Sequence, residues 1–297
     1  MHDAHTILCI VSVLWDVIGR TPAAMPPGSD VPGRIARLPG GVALNVATTL
    51  ARFGLRPVLL TAVGHDADGD ALVTTCRQLG LDMTHVYRSV DLPTDRYMAI
   101  EGAGGLVAAI ADAHSLEAAG ARILAPLTDG ALGSVAAPFG GRIVLDGNLT
   151  EALLAEIAES AAFARADLRI APASPGKADR LQPFLRAGRG TLYVNREEAG
   201  LLTRSDPSDA ADAAARLLDR GAARVVVTDG GRSCCCASAA GSVTAEPPTV
   251  LVTRVTGAGH TFMAAHIAAE ADGADRPQAL QHALTEAAAH VSGDVTG

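Results

Sequence analysis

The chain has 297 residues, of which 48% are hydrophobic and 19% charged, with a formal net charge of -8. That balance is too apolar for a disordered chain and contains no apolar run long enough to span a membrane. The acidic excess and an aromatic content of 3% exclude a binder of phosphate backbones and a stacking platform for nucleic-acid bases, so neither nucleic acid nor a membrane is an expected partner.

Length fits one large α/β unit or two modest ones; with no linker or internal repeat, the chain reads as a single unit over residues 1–297. The first apolar run, Thr6 to Trp15, has no basic segment before it and no small-residue cleavage site after it, and it runs into Asp16. It reads as a buried first strand and not as a signal peptide. Further strand-like runs are Pro57–Ala62, Arg142–Leu145, Asp167–Ala171, Thr191–Val194 and Arg224–Thr228. Between them lie stretches of helical length: Val42–Phe53, Asp68–Leu79, Thr150–Ala164, Asp209–Arg220 and Gly257–Glu270. Continuous apolar strands alternating with helices predict a mostly parallel sheet covered on both faces. Thr150 is placed to cap the helix that follows it, and Gly221 to end the one closing at Arg220.

Two regions break the alternation. Residues 16–38 are rich in Pro and Gly, and residues 92–111 read as strand, turn, strand, with Arg96–Glu101 and Leu106–Ile110 flanking Gly102–Gly105. Two β segments outside the main alternation, from about 14–38 and 92–112, predict a small separate sheet placed as a lid over the strand ends.

The five cysteines, Cys9, Cys76, Cys234, Cys235 and Cys236, form no C-x-x-C pair. Three consecutive strand residues point to alternating faces and cannot converge on one ion, so all five read as small buried hydrophobes in a reducing, cytoplasmic setting. Lys177 is the only lysine.

Two glycine signals carry chemistry. Arg254-Val255-Thr256-Gly257-Ala258-Gly259-His260 follows a strand-like run at Val250–Thr253 and opens a helix. Small residues there leave backbone N–H groups uncovered at the positive end of the helix dipole, which makes an anion pocket. Alone, the segment also reads as an ordinary helix start. It is neither a Walker A loop nor a dinucleotide fingerprint. The second signal, Pro39-Gly40-Gly41-Val42-Ala43-Leu44-Asn45, also opens a helix, with Asn45 offering both donor and acceptor.

Together these segments resemble the ribokinase-like, or PfkB, family of carbohydrate and nucleoside kinases, whose pattern pairs an early G-G-x-x-x-N with a late D-T-x-G-A-G-D. More of the chain matches in order. Asp16, placed at the end of the first strand, resembles the aspartate that binds sugar hydroxyls. Val63-Gly64-His65-Asp66 with Gly69 resembles V-G-x-D-x-x-G, Asn195 to Glu198 resembles N-x-x-E, and Thr228-Asp229-Gly230 resembles T-x-G. Within the family, Asp146-Gly147-Asn148-Leu149, Pro172 to Ala178, and the lid segments around Tyr97 and Asp112 resemble the pseudouridine-kinase subgroup.

The resemblance implies a three-layer α/β/α sandwich with a β lid and transfer of the γ-phosphoryl of ATP to a primary hydroxyl of a sugar or nucleoside, most closely pseudouridine. It implies that Asp16, Gly40, Gly41 and Asn45 hold the sugar; Arg96 and Asp112, lying in the lid, read either as facing the base or as not touching the substrate. Gly257, Ala258, Gly259 and His260 would form the catalytic anion cradle. Lys177, Asn195, Glu198, Thr228, Gly230, Arg254 and Thr256 would face ATP, with Glu198 reaching magnesium through water. It also implies a homodimer joined through the lid.

The sequence departs from the family at several points. His260 stands where the family has its catalytic aspartate; histidine can accept a proton but is bulkier. The substitution leaves two readings open, a working base and a catalytically weak nucleoside-binding relative. Arg254 replaces an acidic residue that helps hold a monovalent cation, and a guanidinium can supply that charge itself or point away as a surface residue. Leu14 and Leu44 are apolar where the subgroup is polar, which leaves another ribonucleoside or a furanose sugar open as substrate. The tail after His290 is short. Lys177 reads either as a phosphate contact or as a solvated residue at a helix start. His65, His85, His114, His266, His282 and His290 show no metal spacing and read as surface or core residues, and Asp66 and Asp68 read as turn and cap residues.

Overall fold

The computed structural model describes residues 5–26 and 28–293. The chain opens with β1 (Thr6–Ile10), β2 (Leu14–Arg20), β3 (Arg34–Gly40), α1 (Val42–Arg52), β4 (Arg56–Leu60), β5 (Ala62–Gly64) and α2 (Ala67–Gln78). Then follow β6 (Tyr87–Ser89), β7 (Arg96–Gly102), β8 (Gly105–Asp112), α3 (Ser115–Ala119), β9 (Arg142–Asp146), α4 (Glu151–Glu159) and β10 (Asp167–Ala171). The remainder is α5 (Gln182–Ala187), β11 (Thr191–Asn195), α6 (Arg196–Thr203), α7 (Ala210–Asp219), β12 (Arg224–Thr228), β13 (Cys234–Ser238), β14 (Gly241–Ala245), α8 (Ala258–Ala271) and α9 (Arg276–Ser292).

An eight-stranded sheet runs in the order β14-β13-β12-β11-β10-β9-β1-β4, parallel except for the β13–β14 hairpin at one edge. Its strands alternate between two apolar layers, as their period of two requires. Leu8, Ile10, Ile143, Leu145, Ile170 and Val227 pack with Leu154 of α4 and Leu217 of α7. Ile7, Cys9, Val144, Tyr193 and Val226 face the other way, onto Leu44 and Leu50 of α1, Phe262 and Ile267 of α8, and Leu280 of α9. The result is an α/β/α sandwich. All five cysteines are buried and free, and the thiols of Cys234, Cys235 and Cys236 alternate across β13 as expected.

The expected caps at Thr150 and Gly221 are present: Thr150 Oγ1 accepts from Leu153 N at 3.2 Å, and Gly221 follows α7 with φ 104°. The lid is a separate four-stranded sheet in the order β3-β2-β7-β8. Two readings need correction. Asp16 lies inside β2, the lid's own inner strand, and not at the end of the first strand; the chain leaves β1 at Ile10. Val250–Thr253 is not a strand, because an exposed irregular segment with no sheet edge to pair with precedes α8.

The order in which strands join the sheet reverses at β1, which has β4 on one side and β9 on the other, both parallel to it. In such sheets ligands bind at the carboxyl ends of the strands flanking that switch. Here Ser12, just beyond β1, donates its N–H to Asp146 Oδ2 at the end of β9, at 3.2 Å.

Candidate active site

On the lid side, β2 pairs Asp16 with Leu38 of β3 and Tyr97 of β7, so these three side chains share one face. The Asp16 carboxylate is half-buried and has no hydrogen-bond partner among the described residues; burial pushes its pKa up. Two separate constraints require the glycine pair beneath it. A β-carbon on Gly40 would lie 2.1 Å from Asp16 Oδ2, and one on Gly41, which has φ 117°, would lie 2.3 Å from Ser12 O. The exposed Asn45 follows on the first turns of α1, its own carbonyl accepting from Thr49 Oγ1 at 2.7 Å.

On the other side, α8 begins at Gly257, whose φ of 89° turns the chain into the helix. Thr261 N makes the first intrahelical bond, to Gly257 O at 3.0 Å. The Ala258 amide is turned back onto Val255 O at 3.2 Å, so it is withdrawn from the cradle expected of it. The amides of Gly259 and His260 keep the unfilled donors of a helix start. Above Gly259 the space is open, with no atom within 4 Å of a built β-carbon. Helices α1 and α8 pack on the same sheet face, and Thr49 and Arg52 of α1, with Phe53 just after it, meet Thr261 of α8 and His290 of α9 in one cleft. The two glycine-led helices therefore stand side by side.

His260 is half-buried, and its buried Nδ1 has no hydrogen-bond partner. Burial, and then the neighbouring His290, hold its pKa below the usual 6.5, so the ring is neutral at pH 7. Arg254 reaches the end of α9, donating through Nε to His290 O at 2.8 Å. It is exposed but does not point away.

Asn195 and Glu198 form a reciprocal capping box on α6: Glu198 N donates to Asn195 Oδ1 at 2.8 Å and Asn195 N to Glu198 Oε2 at 2.9 Å. Burial raises the Glu198 pKa. Thr228 ends β12, and Gly230, with φ 60°, lies in the following turn with open space around it. Lys177 is not solvated alone; its Nζ donates to Asn148 Oδ1 at 2.6 Å. Asn148 in turn donates to Asp146 through its backbone N at 2.9 Å and its side chain at 3.2 Å. Asp146 is fully buried at the switch point, its pKa pushed up by burial against the pull of these N–H donors and of Lys177. In the sequence Asp146 stands out only within a subgroup resemblance, although a carboxylate ending a buried apolar strand signals a ligand-side position.

Arg96, expected at the base, is held at the edge of the lid. It pairs with Asp68 Oδ2 at the start of α2, whose Oδ1 accepts from Arg37 at 2.7 Å. Arg37 also lies over Trp15, 3.9 Å from the ring centroid, and Trp15 Nε1 donates to Asp68 O at 3.0 Å. Asp68 is thus the anchor of the lid on the main body, beyond the turn role its sequence suggests. Asp112 ends β8, exposed and opposite Arg96 in register. The V-G-x-D-x-x-G segment ties the start of α2 to the residue just before the lid strand β7: Asp66 caps α2 through Gly69 N and also accepts from Thr94 N at 2.8 Å and Thr94 Oγ1 at 2.6 Å. Although burial opposes it, these bonds hold its pKa below the carboxylate range. Leu14 and Leu44 are buried and offer no polar group to a ligand.

The fold, with a carboxylate over the head of α1 and an open helix start on α8, which packs against α1, is that of a sugar or nucleoside phosphotransferase. Residues 4–295 match the pfkB family carbohydrate kinases, and the chain belongs to that family. It is 30% identical to the pseudouridine kinase of Escherichia coli K12 over 92% of this chain and 86% of that protein. It is also similar to a solved carbohydrate kinase from Agrobacterium tumefaciens, with a TM-score of 0.81 and 27% identity over 95% of this chain and 89% of that one. Arabidopsis thaliana ribokinase, solved with ribose and ATP, shares the fold at a TM-score of 0.74 and 17% identity, covering 98% of this chain and 93% of that one. No helix among the described residues is long and apolar enough to cross a membrane.

Proposed function

We propose that this kinase moves the γ-phosphoryl group of ATP to the 5′-hydroxyl of pseudouridine. Two observations carry the reading: an unpartnered Asp16 carboxylate seated over Gly40 at the head of α1, and uncovered amides of Gly259 and His260 at the start of α8, the helix that packs against α1. The substrate assignment draws on the 30% identity with pseudouridine kinase along most of both chains.

The residues suit their parts. Asp16 and Asn45 would grip ribose hydroxyls, leaving the primary hydroxyl directed at α8. The Gly259 and His260 amides would receive the transferring phosphoryl oxygens. The neutral His260 imidazole would take the hydroxyl proton. Among the described residues no cluster of three His, Cys, Asp or Glu side chains could hold a metal ion. Magnesium would therefore enter with the nucleotide, its outer waters reaching Glu198, and would neutralise phosphate charge when bound. Asn195 and the open turn at Thr228–Gly230 would border the nucleotide, with Lys177 placing its charge beside Asn148. Arg254 puts a fixed positive charge on the α9 carbonyl end, in support of its replacing a monovalent cation.

The exposed apolar side chains of Ile35, Leu106, Val107 and Ile110 on the lid support a homodimer through that sheet.

One observation favours a second reading, a nucleoside-binding relative with weak catalysis: no hydrogen bond holds His260 through its buried Nδ1. Isothermal titration with a panel of nucleosides and furanoses, paired with ADP release, separates the two. Turnover on pseudouridine above the other compounds is expected. Tight binding with no ADP release, in both the wild type and His260→Asp, would establish the second reading.

A further inference from the structure

The loop that delivers the chain into α8 has little packing to hold it. Residues 251–256 are all exposed, Leu251 at 81% and Val255 at 71%. What fixes the loop is the last turn of α9. Thr253 N and Arg254 N both donate to Val291 O, at 2.9 and 3.2 Å, and Thr253 Oγ1 donates to the same oxygen at 3.0 Å.

The side chain of His290 completes the tie. Its Nε2 lies 2.9 Å from Thr256 O. A carbonyl oxygen only accepts, so Nε2 carries the proton and Nδ1 is left as an acceptor. Nδ1 faces Arg254 Nη2 at 3.3 Å, while Arg254 Nε donates to the backbone oxygen of the same histidine at 2.8 Å. The ring also abuts Gly257: a β-carbon there would stand 3.0 Å from Nε2. The imidazole thus touches the residue before the helix cap, the cap itself and the arginine three positions before the cap.

We infer that His290 is a positioning residue for the phosphate cradle, holding Gly257 and the amides of Gly259 and His260 in place through the Thr256 carbonyl and Arg254. The inference rests on the kinase reading of that cradle. A helix-terminal histidine that only capped α9 would need neither ring nitrogen on a second segment; here each ring nitrogen meets the loop.

Two variants test it. Glutamine can present an amide N–H to Thr256 O and an amide oxygen to Arg254, whereas alanine can do neither. His290→Ala is expected to weaken ATP binding and raise the KM for ATP by about tenfold or more, the scale of losing hydrogen bonds that involve a charged group. The Kd for the nucleoside should hold, and His290→Gln should restore most of the ATP affinity. Hydrogen exchange of the free protein gives a readout that needs no ligand: amides 255–261 should exchange faster in His290→Ala and near the wild-type rate in His290→Gln. Equal loss in both variants, or unchanged ATP affinity and exchange in His290→Ala, would overturn the assignment. If the alanine variant fails to fold, Gln against wild type decides, and faster exchange at 255–261 in Gln overturns it. If the wild type binds no ATP, the kinase reading fails by itself. The exchange comparison then still decides whether His290 holds the loop.

Discussion

The carboxylate of Asp16 fills the space that a side chain on residue 40 would need: a β-carbon on Gly40 would stand 2.1 Å from Oδ2 and 2.3 Å from Cγ. The lid strand that bears Asp16 and the strand that ends at Gly40 are paired in register two residues apart, so neither can shift without the other. Gly40→Ala should therefore act by displacing Asp16. We expect Asp16→Ala to lower kcat/KM by about 10²-fold or more, the scale of removing a group that pairs with a substrate hydroxyl. Gly40→Ala should fall in the same direction, and the double variant should be no worse than Asp16→Ala alone. Steady-state kinetics on the three proteins checks this; additive losses would separate the two residues.

His260 provides the second test. Its pKa sits below the ordinary 6.5, with burial as the main cause, so the base is neutral at pH 7 and becomes a cation only as pH falls below 6.5. The kcat profile should hold flat through neutrality and decline on the acid side, and His260→Gln should remove that acid limb. His260→Asp should keep or raise turnover, since a smaller carboxylate suits the helix start. Loss of turnover to the level of His260→Ala would show that the site is built around the imidazole.

Arg254 makes potassium unnecessary in this account, because its guanidinium already sits on the α9 carbonyl end. Rates in potassium and in tetramethylammonium buffers of equal ionic strength should match. Strong activation by potassium would count against the substitution of charge.

Far from the site, α8 is anchored by a buried network. Glu270 pairs with Arg169 and with Arg224, and Tyr193 joins Arg169 to His266, its hydroxyl 2.9 Å from His266 Nδ1. Burial, the leading cause, takes the His266 pKa from 6.5 down to about 4. Burial opposes ionisation of Glu270, but its two arginines prevail and bring it from 4.5 down to about 2. Both groups bind protons more readily in the unfolded chain, so both make stability fall as pH falls. The His266 share is complete above pH 6.5 and is lost toward pH 4; the Glu270 share follows between 4.5 and 2. Urea titrations at pH 7 and pH 5 should show a loss of about 2 kcal/mol that shrinks in His266→Gln. Glu270→Gln should cost about 3 kcal/mol at pH 7 by leaving two arginines short of their carboxylate.

Much of this fold is legible in the sequence because its strands are short apolar runs flanked by amphipathic helices. Thr6–Ile10, Arg142–Asp146 and Arg224–Thr228 stand out by composition alone. The lid is harder. Its strands β2 and β3 sit among prolines and glycines, and their pairing is set by contact with each other and with α2. Gly40, Gly41 and the Gly257–His260 start are readable because steric demands leave only glycine, or a bare helix turn, at those places. Arg96, by contrast, has a partner 28 residues away, Asp68. His290 has its partners 34 and 36 residues away, at Thr256 and Arg254. No local pattern announces such pairs. Val250–Thr253 misleads because β-branched residues mark a strand only when a sheet edge is there to receive them.

The most direct measurement is amide chemical-shift mapping with a non-hydrolysable ATP analogue and with pseudouridine, each added alone and then together. Our account predicts that the analogue moves the Gly259 and His260 amides most, and that pseudouridine moves Gly40, Gly41 and Asn45. Both ligands together should add further shifts at His260. Shifts from the analogue that spare Gly259 and His260, or from pseudouridine that spare the Gly40–Asn45 turn, would contradict it.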